Sequence, residues 1–369
     1  MKISEFLQSR IDKGDFPSAV YLVAEKGEII LHDAIGLAVV EPENIEAKSD
    51  TIYDLASMTK VLVTGLLCAK LIEKGEINLS DKLSKYFDEF EREDKREITI
   101  ENLLVHNSGF INWKPFYLIA NDESQILNVI AAELLANPIG SKVVYSDLNF
   151  LLLGFLVEKI YRKSLDEIAR QEIFEPLNLQ NTFYNPPKEF QTQIAGNEKG
   201  NEFEKQTCIE LGFDITNYDW REYQIWGEVH DGNCYFMKGV SGHAGLFSTA
   251  EEVFKIAQQF LPNQSKLLNP ETCKLFRKNF TKGLNEARSI AFQLAETSES
   301  SASKALSNDS FGHLGFTGTS LWIEPETERI FILLTNRTHV HELPFVILNS
   351  TRRHFHEMAT RLLDKKSNA

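Results

Sequence analysis

Residues 51–75 read TIYDLASMTKVLVTGLLCAKLIEKG, and this stretch decides how the rest of the chain is interpreted. Ser57 and Lys60 stand three residues apart at the head of an apolar run. On a helix they would share one face of the first turn. The run is apolar on nearly every side, which is typical of a helix buried inside a protein. The stretch therefore predicts a Ser–Lys pair at the start of a buried helix, where the helix dipole favours developing negative charge.

This pair points to nucleophilic catalysis. A serine hydroxyl needs a base within hydrogen-bond reach, and a desolvated lysine can be that base. The pattern alone is weakly specific, since two fixed residues match by chance about once or twice in a chain of this length. A second copy does occur at Ser301 and Lys304, in a serine-rich polar stretch that is typical of a loop. The apolar context favours Ser57 as the nucleophile.

Composition is that of a globular protein with a large core: 369 residues, 43% hydrophobic and 25% charged. No linker rich in Pro, Gly or Ser divides the chain. We therefore expect one catalytic unit over residues 1–369, with α/β parts at 1–80 and 305–369 and a helical or irregular insertion over 81–304. The net charge of −14 argues against nucleic acid or an anionic membrane surface as a partner. A small molecule or a peptide is the expected partner, and the oligomeric state stays open.

The chain shows no targeting or membrane signal. Its first residues predict an amphipathic helix without the apolar core of a signal peptide, and no apolar run is long enough to cross a bilayer. We expect a cytoplasmic protein, although a chain trimmed of a secretion signal would look the same. Four cysteines without metal or redox spacing predict reduced structural thiols.

Strand signals lie at both ends of the chain. Residues 19–24 and 28–32 flank Lys26-Gly27 as a β-hairpin, and residues 320–323 and 329–334 predict two further strands. A helix is expected over about 346–363, and a short one follows Thr99 as its N-cap. The fold class is therefore α/β (α+β): an antiparallel sheet from both chain ends, flanked by helices, with a mostly helical insertion.

Two more segments could carry chemistry. Tyr145 and Asp147 precede an apolar helix; a tyrosine held near cations can act as a phenolate-like base, but it could equally be a half-buried residue at a helix start. Asp147 could equally be the helix N-cap. Residues 311–319, FGHLGFTGT, alternate glycines along an expected edge strand, which lets a ligand approach closely. His313 there is either a cation or proton donor, or a surface histidine.

Metal and cofactor chemistry are not expected. The pairs His339/His341 and His354/His356 lack a third ligand at a known spacing. For the other histidines in turn-like segments, structural hydrogen bonds are expected: His106, His230 and His243. The sequence has no phosphate loop, dinucleotide fingerprint or Gly-x-Ser-x-Gly elbow, so we predict no cofactor.

Taken in order, Ser57-x-x-Lys60, Tyr145-x-Asp147 and His313-x-Gly315 resemble the motifs of the penicillin-recognising serine hydrolases, in their class C β-lactamase-like branch. The flanking blocks YDLASMTK, LLVHNSG and GHAGLFST resemble that family as well. The resemblance implies that Ser57 forms an acyl-enzyme and that Tyr145 shuttles its proton. Lys60 would activate Ser57 or stabilise Tyr145 as a phenolate. The backbone N–H groups of Ser57 and Phe316 would form the oxyanion hole, and Gly315 would contact the substrate.

Two departures from that pattern affect the expected substrate. Asp147 replaces the usual Asn and should hold Lys60 protonated, which shifts the base role to Tyr145. His313 replaces a permanent lysine cation with a group expected to titrate near neutrality, and Leu314 replaces the following Thr. The resemblance thus implies a serine hydrolase for small esters or D-amino-acid peptides. The alternatives are a β-lactamase and a non-catalytic penicillin-binding-like sensor or scaffold.

Overall fold

The computed structural model describes residues 2–340 and 342–367, so His341 lies outside the described residues. Its strands are β1 Ser18–Glu25, β2 Glu28–Val39, β3 Ile45–Glu46, β4 Tyr53–Asp54, β5 Phe183–Tyr184, β6 Leu246–Ser248, β7 Gln293–Leu294, β8 Phe311–Leu314, β9 Ser320–Glu324 and β10 Arg329–Thr335. Its α-helices are α1 Ile3–Ile11, α2 Leu66–Glu73, α3 Ile100–Leu104, α4 Phe116–Ile119, α5 Ile126–Ala132, α6 Asp147–Tyr161, α7 Leu165–Ala169, α8 Glu202–Glu210, α9 Gly232–Phe236, α10 Ala250–Ala257, α11 Pro270–Cys273 and α12 Asn349–Ser367.

One antiparallel sheet joins the two ends of the chain. Its strands lie in the order β3-β2-β1-β10-β9-β8-β7, and β1 pairs with β10 from Ala19↔Thr335 to Glu25↔Arg329. The predicted α/β fold, with an antiparallel sheet built from both chain ends, is confirmed. A smaller sheet, β4-β6-β5, lies next to the predicted nucleophile. The edge strand β7 comes from within the segment predicted as an insertion.

The first hairpin forms because its turn residues accept left-handed backbone. Lys26 and Gly27 have φ of 52° and 83°, and the register closes on Glu25↔Glu28, as predicted. β2 runs on to Val39, well past the expected end at His32. The loop predicted for the second Ser-x-x-Lys copy is confirmed, since residues 301–304 form neither helix nor strand.

The sheet is covered on both faces because its inner strands are apolar on both. Along β1, Val20 and Leu22 pack into the main core with the helices of the middle of the chain. Tyr21 and Val23 point to the opposite face and pack against α1 and α12. The cysteines are free and buried, as predicted: Cys68, Cys208, Cys234 and Cys273. Among the described helices, none combines the length and apolarity that crossing a membrane requires.

The helix that follows Ser57 is buried as predicted, but its first turns are not regular α-helix. A 3₁₀ turn spans Ala56–Met58 and a π-helical segment spans Lys60–Gly65 before α2 begins. Packing is tight at the end of the π-helical segment, since a Cβ on Gly65 would lie 2.7 Å from the Ala291 side chain and 3.1 Å from the Lys60 carbonyl. π-helical turns of this kind are frequent at functional sites.

Two N-caps test the predicted helix starts. Thr99 caps α3, accepting the amide N–H of Asn102 at 3.2 Å, as predicted. The alternative that Asp147 caps α6 is wrong, because Ser146 occupies the cap position and Asp147 is the first helical residue. The Asp147 carboxylate is therefore directed to a different partner.

Candidate active site

A cavity of about 780 Å³ opens beside the 3₁₀ turn that carries Ser57. Its wall includes Tyr145 and Asp147 from the start of α6 and residues 313–316 from the end of β8. The segment 203–231, which could not be assigned from sequence, supplies another part of the wall. Every predicted site residue except Lys60 thus lines one cavity. Lys60 is buried behind the cavity wall and contacts Ser57 from there.

The backbone around Ser57 is held in an unusual conformation. Ala56 has a left-handed φ of 46°, which is strained for a residue with a Cβ. The Asp54 carboxylate fixes it by accepting the Ala56 N–H at 2.8 Å. Leu55 donates to the Leu246 carbonyl at 2.9 Å, and Thr317 donates its hydroxyl to the Asp54 carbonyl at 2.7 Å. The turn that carries Ser57 is therefore held between the small sheet and the end of β8.

Lys60 is fully buried and its ammonium group is surrounded by acceptors. Nζ donates to Ser57 Oγ and to the His243 carbonyl, both at 2.9 Å. It also lies 2.7 Å from Asp147 Oδ1, in an ion pair whose angles fall short of a hydrogen bond. Burial acts to lower the pKa of Lys60, but Asp147 and Tyr145 outweigh it, and the pKa lies above its usual value. Lys60 is thus a cation that donates to Ser57 at rest.

Tyr145 is neutral at rest, which argues against the alternative in which Lys60 stabilises it as a phenolate. Burial raises the pKa of the Tyr145 hydroxyl above its usual value, although Lys60 and Ser57 act in the opposite direction. Its ring lies 5.1 Å from Lys60 Nζ and 4.7 Å from the ring of His106. The hydroxyl is buried and has no hydrogen-bond partner of good geometry within residues 2–340 and 342–367. Lys60 and Ser57 still act on its pKa, so both side chains lie close to the hydroxyl.

His313 is also neutral, so the expectation that it titrates near neutrality is wrong. Burial, then Arg288 and Lys60, hold the pKa of His313 well below its usual range. Nδ1 lies 2.8 Å from the Leu314 carbonyl, which can only accept, so Nδ1 carries the proton. The ring is 5% exposed, so the alternative of a surface histidine is also wrong.

The two expected oxyanion donors, the N–H groups of Ser57 and Phe316, belong to the segments that the contacts above hold in place. No hydrogen bond in the described part of the chain uses the N–H of Ser57 or of Phe316. Gly315 approaches the nucleophile turn closely, since a Cβ there would lie 2.4 Å from the Leu55 carbonyl and 2.1 Å from Thr319 Oγ1. This glycine is therefore required by contact within the chain itself, although it also lines the cavity.

Comparison with known proteins identifies the family. The family model described as Beta-lactamase matches residues 3–346. The chain belongs to the β-lactamase family. A relative from Escherichia coli K12 named "Putative D-alanyl-D-alanine carboxypeptidase" is 30% identical over 368 residues, covering 92% of this chain and 82% of its own.

Solved structures of the family share the fold. A penicillin-binding protein homologue from Caulobacter crescentus has a TM-score of 0.75 at 18% identity, covering 98% of this chain and 96% of its own. EstCE1, described as a hydrolase with promiscuous acyltransferase activity, has a TM-score of 0.74 at 20% identity and covers 97% of both chains. Membership makes this chain a serine hydrolase of the β-lactamase and DD-peptidase kind.

Asp231 also lines the cavity, and the sequence analysis did not predict it as a site residue. Asp231 Oδ1 lies 3.0 Å from His243 Nε2, and Ser241 Oγ lies 2.5 Å from His243 Nδ1. Burial acts against the charge, but His243 and Lys60 lower the pKa of Asp231 below its usual range. Asp147, Asp231 and His243 offer ligand atoms within 4.8 Å of one another, yet the Lys60 ammonium already serves as their counter-charge. The expected absence of a metal stays a prediction.

Three histidines for which structural hydrogen bonds were expected are buried, and each makes them. His106 Nδ1 accepts the amide N–H of Ser146 at 3.1 Å. His230 Nε2 lies 2.7 Å from Glu198 Oε2, and His243 Nε2 lies near Asp231 as described above.

Asp231 could have been noticed in the sequence as a helix N-cap residue. It directly precedes α9 and caps that helix by accepting the Cys234 N–H. Arg288 and Glu286, which also line the cavity, lie in a segment without any recognisable motif.

Proposed function

We propose that this protein hydrolyses small esters or D-amino-acid peptides through an acyl-enzyme on Ser57. The observation that carries the proposal is the contact of Lys60 Nζ with Ser57 Oγ at 2.9 Å, beside Asp147 at 2.7 Å. A buried, charged lysine in contact with a cavity serine costs free energy to maintain, and a scaffold alone does not need it. The arrangement therefore favours catalysis over a non-catalytic sensor.

Lys60 acts in this proposal as a fixed cation. Its ammonium donates toward Ser57, so it has no lone pair with which to take the serine proton. The positive charge stabilises negative charge that develops on Ser57 Oγ during attack on the carbonyl. Asp147 keeps Lys60 in this state by opposing the effect of burial on its pKa.

Tyr145 acts as a neutral relay. As Ser57 Oγ bonds to the substrate carbonyl carbon, Tyr145 takes the serine proton and gives its own hydroxyl proton to the leaving oxygen or nitrogen. The bond between the carbonyl carbon and the leaving group breaks, and Tyr145 ends as it began. Water then attacks the acyl-enzyme by the same relay. No phenolate forms, consistent with the raised pKa of Tyr145.

The oxyanion hole and the strand end complete the proposal. The N–H groups of Ser57 and Phe316 would stabilise the carbonyl oxygen as it gains charge. Gly315 brings the strand end within contact of the substrate. Genuine β-lactam hydrolysis is the second candidate, and the neutral His313 makes it weaker, because no permanent cation stands at that position.

The experiment is covalent labelling of the folded protein with a fluorophosphonate and, separately, with a penicillin, followed by peptide mass analysis. We expect a fluorophosphonate adduct on the Ser57 peptide that is lost in Ser57→Ala. The matched control is Ser301→Ala, in the second Ser-x-x-Lys copy, which should keep the label. Stable penicillin label indicates a peptidase, whereas label that disappears with turnover indicates a lactamase. No label on Ser57 with either reagent would contradict the proposal.

The choice between esters and D-peptides needs a rate comparison. We expect measurable cleavage of phenyl acetate, of a peptide ending in D-Ala-D-Ala, or of both, and the ratio of their kcat/KM values assigns the substrate class. Loss of both activities in Ser57→Ala ties them to the same site. Activity that survives Ser57→Ala would show a different nucleophile.

A further inference from the structure

His106 packs against Tyr145 and is held in one tautomer. Its Nδ1 lies 3.1 Å from the Ser146 amide nitrogen and 3.1 Å from Asn149 Nδ2. A backbone N–H can only donate, so Nδ1 accepts and the imidazole proton lies on Nε2. Ser108 Oγ donates to Asn149 Oδ1 at 2.6 Å, which directs the Asn149 amide hydrogens toward His106. The side chain is therefore a neutral acceptor directed at the start of α6.

His106 holds the chain on both sides of Tyr145. Its carbonyl accepts the Val144 N–H at 2.8 Å, and its Nδ1 accepts the Ser146 N–H. Between these two hydrogen bonds, the His106 ring lies 4.7 Å from the Tyr145 ring, measured between centroids. One residue thus contacts three consecutive residues of the segment that carries the proposed proton relay.

The conformation and the charge of His106 are both fixed. Its φ is 60°, in the left-handed region that residues with a Cβ rarely adopt, and such backbone persists only where the surrounding structure holds it. The side chain is 1% exposed. Burial, then Arg288 and Lys60, hold the pKa of His106 well below its usual range, so Nδ1 keeps the lone pair that accepts the Ser146 N–H.

Tyr145 needs such contacts because its hydroxyl does not fix its own position. The buried hydroxyl makes no hydrogen bond of good geometry within the described ranges. Its location is therefore set by the packing of the ring and by the backbone on either side. The other aromatic neighbour of the ring, His313, lies farther away, at 5.7 Å between centroids. His106 contributes both the nearer ring contact and the two flanking hydrogen bonds.

We propose that His106 is a positioning residue that holds the Tyr145 hydroxyl in place for proton transfer between Ser57 and the leaving group. This inference rests on the proposed function, which assigns the relay to Tyr145. His106 is not among the residues that line the cavity, so it acts through Tyr145 and not on the substrate. A misplacement of about 1 Å can cost about 10²-fold in rate. Loss of the His106 contacts should therefore lower kcat with little change in KM.

The test is a double-mutant cycle of His106→Asn and Tyr145→Phe. Asn tolerates left-handed backbone, and its side-chain oxygen can replace Nδ1 as acceptor for the Ser146 N–H, so the variant should fold without the ring. The rates measured are fluorophosphonate labelling of Ser57 and kcat on the preferred substrate. We expect His106→Asn to lower both about 10- to 100-fold. In Tyr145→Phe, the same substitution should lower them no further, because the hydroxyl that it positions is gone.

A second variant, His106→Phe, keeps a ring against Tyr145 but cannot accept the Ser146 N–H. We expect it to lower both rates, again only when Tyr145 is present. A loss in one of the two variants alone would support the inference and show which contact positions the hydroxyl. The control is His339→Gln: His339 is also buried and accepts the Val40 N–H at 2.8 Å, but it does not line the cavity. Rates per folded molecule should stay unchanged in this control.

A purely structural role for His106 predicts that its substitutions lower the rates per folded molecule by the same factor with and without the Tyr145 hydroxyl. That result, or unchanged rates in both His106 variants, would overturn the inference while leaving the hydrolase proposal intact.

The position of Tyr145 separates this inference from the proposed function. Absence of label and of turnover in the natural protein would defeat the proposed function, and crystal structures would still test the contact. We expect the Tyr145 hydroxyl to be displaced by about 1 Å or more in His106→Asn relative to the natural protein. A Tyr145 side chain in the same place in both structures would overturn the inference.

Discussion

Two cation–carboxylate pairs approach the ring of Tyr145, and they differ in how completely they are satisfied. Lys60 is surrounded by Ser57, the His243 carbonyl and Asp147, all within 2.9 Å of Nζ. Arg288 has Glu286 on one nitrogen and no partner within the described residues on the other two. The two cations lie at similar distances from Tyr145, 5.1 Å and 5.5 Å from its ring centroid.

This difference distinguishes a cation whose position is fixed by the protein from one that still has unfilled hydrogen-bond donors. A cation whose contacts are filled by the protein has a fixed position and charge, so it can preorganise a field for the transition state. A buried cation with free donors pays a desolvation cost that a ligand can recover. The filled contacts of Lys60 are what its proposed part in the chemical step requires, whereas the donors of Arg288 are left without partners among the described residues.

The largest expected effect comes from Tyr145→Phe, which removes the hydroxyl proposed to transfer the proton from Ser57 to the leaving group. We expect kcat to fall about 10²- to 10⁴-fold, the usual contribution of general acid–base catalysis, with little change in KM. The melting temperature should not fall, because the buried hydroxyl makes no hydrogen bond of good geometry to the described residues. Steady-state kinetics with calorimetric melting checks both. An unchanged kcat would remove Tyr145 from the proton path.

Asp147→Asn tests the Lys60 pair by removing its counter-charge. Burial is then opposed by Tyr145 alone, so the pKa of Lys60 should fall. Because the account requires a charged Lys60, kcat in the variant should fall as pH rises through the lowered pKa. A pH–rate profile measures this, with Glu172→Gln, which breaks the Lys70 ion pair elsewhere, as control. Activity that instead rises with pH would identify Lys60 as a base.

The smallest effect concerns His313, which lies between the two pairs. Since its pKa is well below the usual range, the imidazole stays neutral as pH rises above about 6, and no activity should be lost there through its deprotonation. The pH dependence of kcat/KM for the peptide ending in D-Ala-D-Ala should be flat from about pH 6 to 9. A decline centred near pH 6.5 that disappears in His313→Gln would show that its charge is used.

Sequence reasoning reached the sheet and most of the catalytic cluster because both have local signals. Alternating apolar residues and the Lys26-Gly27 turn predicted the hairpin, and β10 pairs with it as expected. Spaced motifs predicted that Ser57, Lys60, Tyr145 and Asp147 would meet, and they do.

The sequence could not predict the charge state of His313 or the presence of Arg288 at the cavity, because both depend on how distant segments pack together. Burial of the ring lowers the pKa of His313, Arg288 and Lys60 lower it further, and neither neighbour is near it in sequence. Arg288 lies in a segment without helical or strand period, and only the pairing of β7 with β8 brings that segment to the cavity. The sequence left open whether Asp147 caps α6, and the structure decides it because Ser146 occupies the cap position.

The most direct test of the account is the charge state of Lys60 in the resting enzyme. Heteronuclear NMR of protein labelled at the lysine ε-carbon and ζ-nitrogen, with the Lys60 signal assigned by its loss in Lys60→Arg, reports protonation directly. We expect an ammonium signal that does not titrate from about pH 6 to pH 10, because Asp147 and Tyr145 raise the pKa of Lys60 despite its burial. A titration midpoint at or below about pH 8 would make Lys60 a free base and contradict the account.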